Sequence, residues 1–258
     1  MSAPHIHIPY PRVGDYLPFI KQNSLNLEIY FPSSALDSLA LTDIERLKET
    51  LDHQPSLSIH APFMDMSPGA VDSRVRAVTL ERFSHILEIA GVLLPKVIVF
   101  HSGYEKWKYA HRVDIWLEGS LLTWEPIISK AARLNTRIAI ENIFEDEPSN
   151  LHSLMQELHS EHFGICFDTG HCNLFSKVRL EDWLRSLGPY IFELHLHDND
   201  KSFDQHLPIG EGTFDFRTLF SSLEGKECLY TIEAHSPGNV MKSMERLKKF
   251  TTAYPGGS

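Results

Sequence analysis

KVIVFH (residues 96–101), LEGSLLTWEPIISKAARL (117–134) and RIAIE (137–141) together decide the fold class. The two flanking runs are short, rich in β-branched residues and almost continuously apolar, as strands buried on both faces are. The run between them is long enough for a helix and mixes apolar with polar positions. Strand, helix, strand in this order predicts a βαβ unit, in which the crossover returns the chain to the same end and makes the strands parallel.

The alternation repeats outward from this unit in both directions. Further strands are expected at HIHI (5–8), LNLEIYF (25–31), LSIH (57–60), FGICFD (163–168), YIFELHLH (190–197) and LYTIEAH (229–235). Amphipathic stretches separate them, among them LTDIERLKETLDH, SRVRAVTLERFSHILEIAGVL, PSNLHSLMQELHSE, LEDWLRSL, FDFRTLFSSL and GNVMKSMERLKKF. Thr42-Asp43 and Ser149-Asn150 are the expected helix starts. Eight alternations in a chain of 258 residues predict an α/β fold, a closed (β/α)8 TIM barrel in one domain over 1–258, with an open doubly wound sheet as the alternative. The tail PGGS (255–258) is expected to be flexible.

Composition narrows the function classes. A hydrophobic content of 42% with fifteen Phe and four Trp suits a globular core. The most apolar run, ILEIAGVLLPKVIVF, is broken by Glu88, Pro95 and Lys96 and falls short of a membrane span. The start of the chain shows neither a basic leader nor a hydrophobic stretch, so a cytoplasmic location is expected. Cys166, Cys172 and Cys228 lack paired CxxC spacing and predict no disulfide framework. A net charge of −10 without a basic run argues against general nucleic-acid binding and for a small-molecule substrate.

In barrels of this class the chemistry sits where strands end. His60 ends LSIH, His101 ends VIVFH, Glu141 ends IAIE and Asp168 ends ICFD, while His195 lies late in IFELHLH and Glu233 late in LYTIE. A lone histidine at a strand end is usually scaffolding, but six such residues on consecutive strands are not accounted for by packing. Alternation puts Glu193, His195 and His197 on one face, so a charged Glu193 would need a partner. Gathered carboxylates and imidazoles are costly to bury unless a cation neutralises them. DTGH adds His171 beside Asp168, and DQH adds Asp204 and His206, two residues apart and on one side of an extended loop. Mixed nitrogen and oxygen donors suit a divalent metal, zinc first and manganese or another first-row metal second.

IHAP, FHSG, IEN, DTGH, HLHD, DQHLPIGEG and TIEAH, taken as a set, resemble the xylose isomerase-like (AP endonuclease family 2) superfamily from residue 57 onward. That superfamily contains endonuclease IV and many sugar isomerases and epimerases. The resemblance implies one to three metal ions, with His60, His101 and Glu141 at the first position. Glu141, Asp168, His195 and Glu233 would form the second, and His171, Asp204 and His206 the third. His197, Asp198 and Glu211 are candidates for orienting these ligands. Glu28, which shares a face with Asn26 and Tyr30, is a candidate for substrate contact, as is His235. His5 and His7 are expected to line the cavity with no role fixed by the family.

Two catalytic readings follow from the resemblance. In the first, clustered metals activate water against a phosphoester while Glu141 and Glu233 position metals and nucleophile. The charge and the lack of wedge-bearing loops favour a small phosphodiester over duplex DNA, and a cobamide-remodelling phosphodiesterase branch offers one parallel. In the second, one metal held by Glu141, Asp168, His195 and Glu233 polarises a sugar, and the two glutamates exchange its carbon-bound proton. Epimerase relatives typically carry a substrate-binding Arg where this chain has Asp204 and His206, which favours the first. A metal-stabilised binding barrel without turnover is the non-catalytic alternative.

Overall fold

The computed structural model describes residues 3–252; the tail 255–258 lies outside them. Eight strands occur, β1 (His5–Pro9), β2 (Asn26–Tyr30), β3 (Leu57–His60), β4 (Val97–His101), β5 (Arg137–Glu141), β6 (Phe163–Asp168), β7 (Ile191–Leu196) and β8 (Leu229–Ile232). They pair in sequence order, all parallel, and β1 closes on β8 through His5 opposite Thr231 and Ile6 opposite Ile232. That closure removes the open-sheet alternative.

The helices are α1 (Val13–Gln22), α2 (Ser33–Leu36), α3 (Leu41–Thr50), α4 (Ser73–Leu93), α5 (Val113–Arg133), α6 (Ser149–Leu158), α7 (Thr169–Phe175), α8 (Leu180–Leu187), α9 (Phe216–Ser222) and α10 (Pro237–Thr252). Of the two expected helix starts, one shifts by a residue and one holds. α3 begins at Leu41, where Asp43 accepts a hydrogen bond from the Ala40 amide at 3.0 Å. α6 begins at Ser149, with Pro148 at its N-cap and so no side-chain cap, while the Ser149 hydroxyl donates back to Glu147. β8 stops at Ile232, leaving Glu233 and His235 just past its end rather than inside it.

Strand alternation divides the interior into two cores. Outward residues such as Ile59, Ile98, Phe100, Ile138 and Phe167 pack with the helices and with Trp116, Trp124 and Trp183. Inward residues Val97, Val99, Ala139, Cys166 and Leu229 form a smaller apolar plug inside the barrel. The next inward residues toward the strand ends are His101, Glu141, Asp168 and Thr231, so the lining turns from apolar to polar within one strand length. A register shift between Ile165 and Cys166 marks where β6 meets β7 irregularly. The three cysteines are free thiols; Cys166 and Cys172 are buried and Cys228 is half-buried.

Candidate metal centre

The strand ends converge on Glu141. Its Oε2 lies 3.0 Å from His60 Nε2 and 3.1 Å from His101 Nε2, and its Oε1 lies 3.0 Å from His171 Nδ1. His195 Nδ1 faces three carboxylates, Glu233 at 3.1 Å and Glu141 and Asp168 each at 3.7 Å. Asp204 Oδ2 lies 2.9 Å from His206 Nε2 and 3.5 Å from His171 Nε2, and His206 Nδ1 is 3.4 Å from Glu233. All nine residues assigned through the resemblance therefore meet in one mouth.

Local backbone features fix these positions. Asp168 caps α7, its Oδ1 accepting from the His171 amide at 2.7 Å, which sets His171 one turn above it while Oδ2 faces the cluster. Asn142 clamps β5 to β6, donating to the Asp168 carbonyl and accepting from the Asp168 amide. Gly170 is required by a close approach: a Cβ there would sit 2.1 Å from the His197 ring. His206 has φ +48, a left-handed conformation that costs a non-glycine residue on the order of 1 kcal/mol and that recurs at functional sites.

The residues outside the nine divide into three groups. His197, expected only to orient ligands, sits inside the cluster. Its Nε2 is 3.0 Å from Asp168, its Nδ1 is 3.5 Å from Asp204, and its ring stacks on His206 at 4.0 Å. Asp198 is buried and staples the loop that carries Asp204 and His206, accepting from the amides of Asn199, Gly212 and Phe214. Gly212 has no room for a Cβ there, which would meet the Asn199 carbonyl oxygen at 2.2 Å. His235 stacks near His206 at 4.9 Å and lines the cavity.

Glu211 is a correction, because its carboxylate is engaged by Lys242 and by Arg246 at 2.8 Å on α10 rather than turned toward the ligands. His5 is a second correction. It is buried beneath the cavity, where its ring nitrogens meet Ser58 and Ser56 at 2.9 and 3.0 Å. Its partner in depth is Glu193, which takes hydrogen bonds from Ser58 and Thr231. Burial, with the field of Glu28, pushes the Glu193 carboxyl up to about 8 despite His195 and the two hydroxyls. That direction favours the protonated acid, and the partners Glu193 meets here are hydroxyls.

Burial alone would disfavour every charge in the mouth, yet opposite charges win at most positions. Against burial, His101 and His195 hold the Glu141 carboxyl well below its ordinary range, and His7, His195 and His206 do the same for Glu233. Asp168, Asp204 and Glu141 raise His171 well above its ordinary value against the same penalty. The hydrogen bond to Asp204 and the field of Glu233 outweigh burial at His206, taking it up to about 8. At His101 burial prevails over Glu141 and the value falls.

The donors fit a divalent metal. His195 Nδ1, His197 Nδ1 and Asp204 Oδ1 are buried without a hydrogen-bond partner, although carboxylates or imidazoles lie 3.1 to 3.5 Å away in poor alignment. His60, His101 and Glu141, then Asp168, His171 and His197, then His197, His206 and Glu233 form groups whose donor atoms lie within 4.8 Å of one another. A divalent cation bound by these atoms would displace the protons of those imidazoles that are charged.

Above the donors opens a cavity of about 520 Å³. Its wall is largely apolar and aromatic, including Tyr30, Phe63, Phe144 and Phe175, and Arg12 is its lone Arg or Lys among the described residues. Phe63 stacks on His101 at 4.4 Å and on Tyr30 at 5.4 Å, an aromatic row for which the sequence held no periodic signal. No described helix is long and apolar enough to cross a membrane.

The xylose isomerase-like TIM barrel family model matches residues 27–250, and the chain belongs to that family. Protein MJ1311 of Methanocaldococcus jannaschii, itself uncharacterised, is 30% identical over 222 residues, 82% of this chain and 76% of the relative. Among solved structures, the TTHB071 protein from Thermus thermophilus, soaked with ZnCl2, superposes with a TM-score of 0.81 at 25% identity over 100% of both chains. A D-tagatose 3-epimerase-like protein superposes at 0.76 with 24% identity, over 96% of this chain and 97% of its own, a likeness of fold alone.

Proposed function

We propose that this chain is a divalent-metal hydrolase of a small phosphodiester, with zinc as the preferred ion. The observation that supports it is the surplus of donors: Asp204 and His206, with His171, add a further ligand group to the four residues that a one-metal isomerase would use. When bound, divalent ions supply Lewis-acid polarisation of the phosphoryl oxygens and charge neutralisation. The chain supplies the rest. Glu141 and Glu233 face His195 from the ends of two strands and fix where reacting groups sit, the aromatic wall excludes water, and Arg12 lines the cavity with its guanidinium paired to Asp15 at 2.8 Å. The apolar wall suits a diester with a bulky organic substituent of the cobamide type better than a duplex, and the acidic surface argues the same way.

Sugar epimerisation is the second reading, favoured by the convergence of Glu141, Asp168 and Glu233 on His195. Metal analysis of purified protein, with assays for cleavage of bis(p-nitrophenyl) phosphate and for ketose epimerisation, separates the two. Diester cleavage by zinc-loaded protein is expected; proton exchange at a ketose carbon without diester cleavage would overturn the hydrolase reading.

A further inference from the structure

Glu28 on β2 is fully buried, and each of its carboxylate oxygens meets a different imidazole. Oε1 lies 2.7 Å from His7 Nδ1 on β1, and Oε2 lies 3.1 Å from His195 Nε2 on β7. Both contacts are of hydrogen-bond length. An ionised carboxylate only accepts, so each of those ring nitrogens carries the proton and donates. His195 is thereby turned with Nδ1 toward Glu233, Glu141 and Asp168, the direction a metal ligand needs. His7 is held by the same carboxylate and lies 3.3 Å from Glu233 through the same Nδ1, so Nδ1 is the nitrogen turned to the carboxylates and Nε2 is the acceptor of the neutral ring. Its ring lines the cavity, stacked on Tyr30 at 5.9 Å and edge-on to His60 at 5.6 Å.

We infer that Glu28 is a positioning residue that fixes two imidazoles at once, His195 as a ligand through Nδ1 and His7 as a hydrogen-bond acceptor facing the reacting groups. A single carboxylate thus ties the ligand geometry to the substrate side of the cavity, and loss of either oxygen releases one of the two rings. In hydrolysis, His7 Nε2 accepts from the attacking water and orients it. This last role rests on the hydrolase reading; the action of Glu28 on the two rings does not.

Long-range nitrogen–proton NMR of isotope-labelled histidine in zinc-loaded protein at mildly alkaline pH tests the first part. The ring signal that vanishes in His7→Gln should show a protonated Nδ1 and a bare Nε2; a protonated Nε2 with bare Nδ1 would overturn the assignment. In Glu28→Gln the amide keeps one acceptor for two donors, and zinc affinity should fall about 10- to 100-fold. Unchanged affinity would overturn it. For His7, His7→Phe should lower kcat on bis(p-nitrophenyl) phosphate by about tenfold or more at unchanged KM and zinc content, and His7→Gln should recover part of it. Wild-type turnover in His7→Phe would reject the water-positioning role. Absence of cleavage by the wild type would remove the hydrolase reading and that role together, while the tautomer and affinity measurements still judge Glu28.

Discussion

The mouth of the barrel and the layer beneath it use the same inward faces of neighbouring strands and treat buried carboxylates in opposite ways. At the mouth, Glu141 and Glu233 are held ionised because His60, His171, His195 and His206 lie within 3.0 to 3.7 Å of one or the other. One layer down, Glu193 meets the hydroxyls of Ser58 and Thr231 and stays protonated, while burial lowers His5 to about 4 and keeps it neutral. Depth is therefore not what decides charge; the number of cationic partners within reach is. Glu28 lies between the layers and is ionised, to about 2, because His195 and His7 overcome its burial.

The comparison breaks most visibly if the shared carboxylate is neutralised. Glu141→Gln should cost zinc at more than one position and lower diester turnover by about a thousandfold or more, measured on folded protein beside its metal content. His206→Ala should act next, lowering turnover about a hundredfold and removing one ion while circular dichroism stays native. Full cleavage by that variant would reject the Asp204 and His206 assignment.

Zinc itself should then raise the unfolding free energy by about 3 kcal/mol at a hundredfold excess over Kd, an effect that ethylenediaminetetraacetate reverses. Its affinity should fall as pH drops below about 8, because His206 must lose a proton to bind and holds it up to that value. Calorimetry in buffers of different ionisation enthalpy measures the released protons.

The layer beneath gives a smaller signal of opposite origin. Unfolded, Glu193 ionises near 4.5; folded, near 8. Between these values the folded chain holds a proton that the unfolded chain has lost, so this residue's contribution is intact at low pH and declines as pH rises. Glu193→Gln should remove a slope of up to about 1.4 kcal/mol per pH unit in that window, read by denaturant unfolding of metal-stripped protein. At the far end of the scale, Glu211→Gln should leave turnover and zinc content unchanged, since its partners are Lys242 and Arg246 on α10.

Much of this was legible in the sequence because it follows from periods. Near-continuous apolar runs such as VIVF and helix-length stretches between them specify parallel strands, and a ligand at the end of each run, as at His60, His101, Glu141 and Asp168, specifies the mouth. Glu193, His195 and His197 share a face as alternation requires, but alternation says nothing of depth, so the neutral state of Glu193 was hidden until Ser58 and Thr231 were placed beside it. The same limit concealed His5 beneath the cavity. His197 entered the cluster because Gly170 leaves its ring room, a packing fact with no sequence period. Glu28 and His7 were visible as inward residues, but the hydrogen bond joining them depends on the β1 and β2 register, which pairs His7 with Glu28.

The central claim is that side chains from six strand ends, the first turn of α7 and one loop hold more than one divalent ion. Anomalous X-ray diffraction at the zinc edge, on crystals of zinc-replete protein, tests it most directly. Two or three peaks are expected, bounded by His60, His101 and Glu141, by His195 and Glu233, and by His171, Asp204 and His206. One peak alone beside His195, or none, would contradict it.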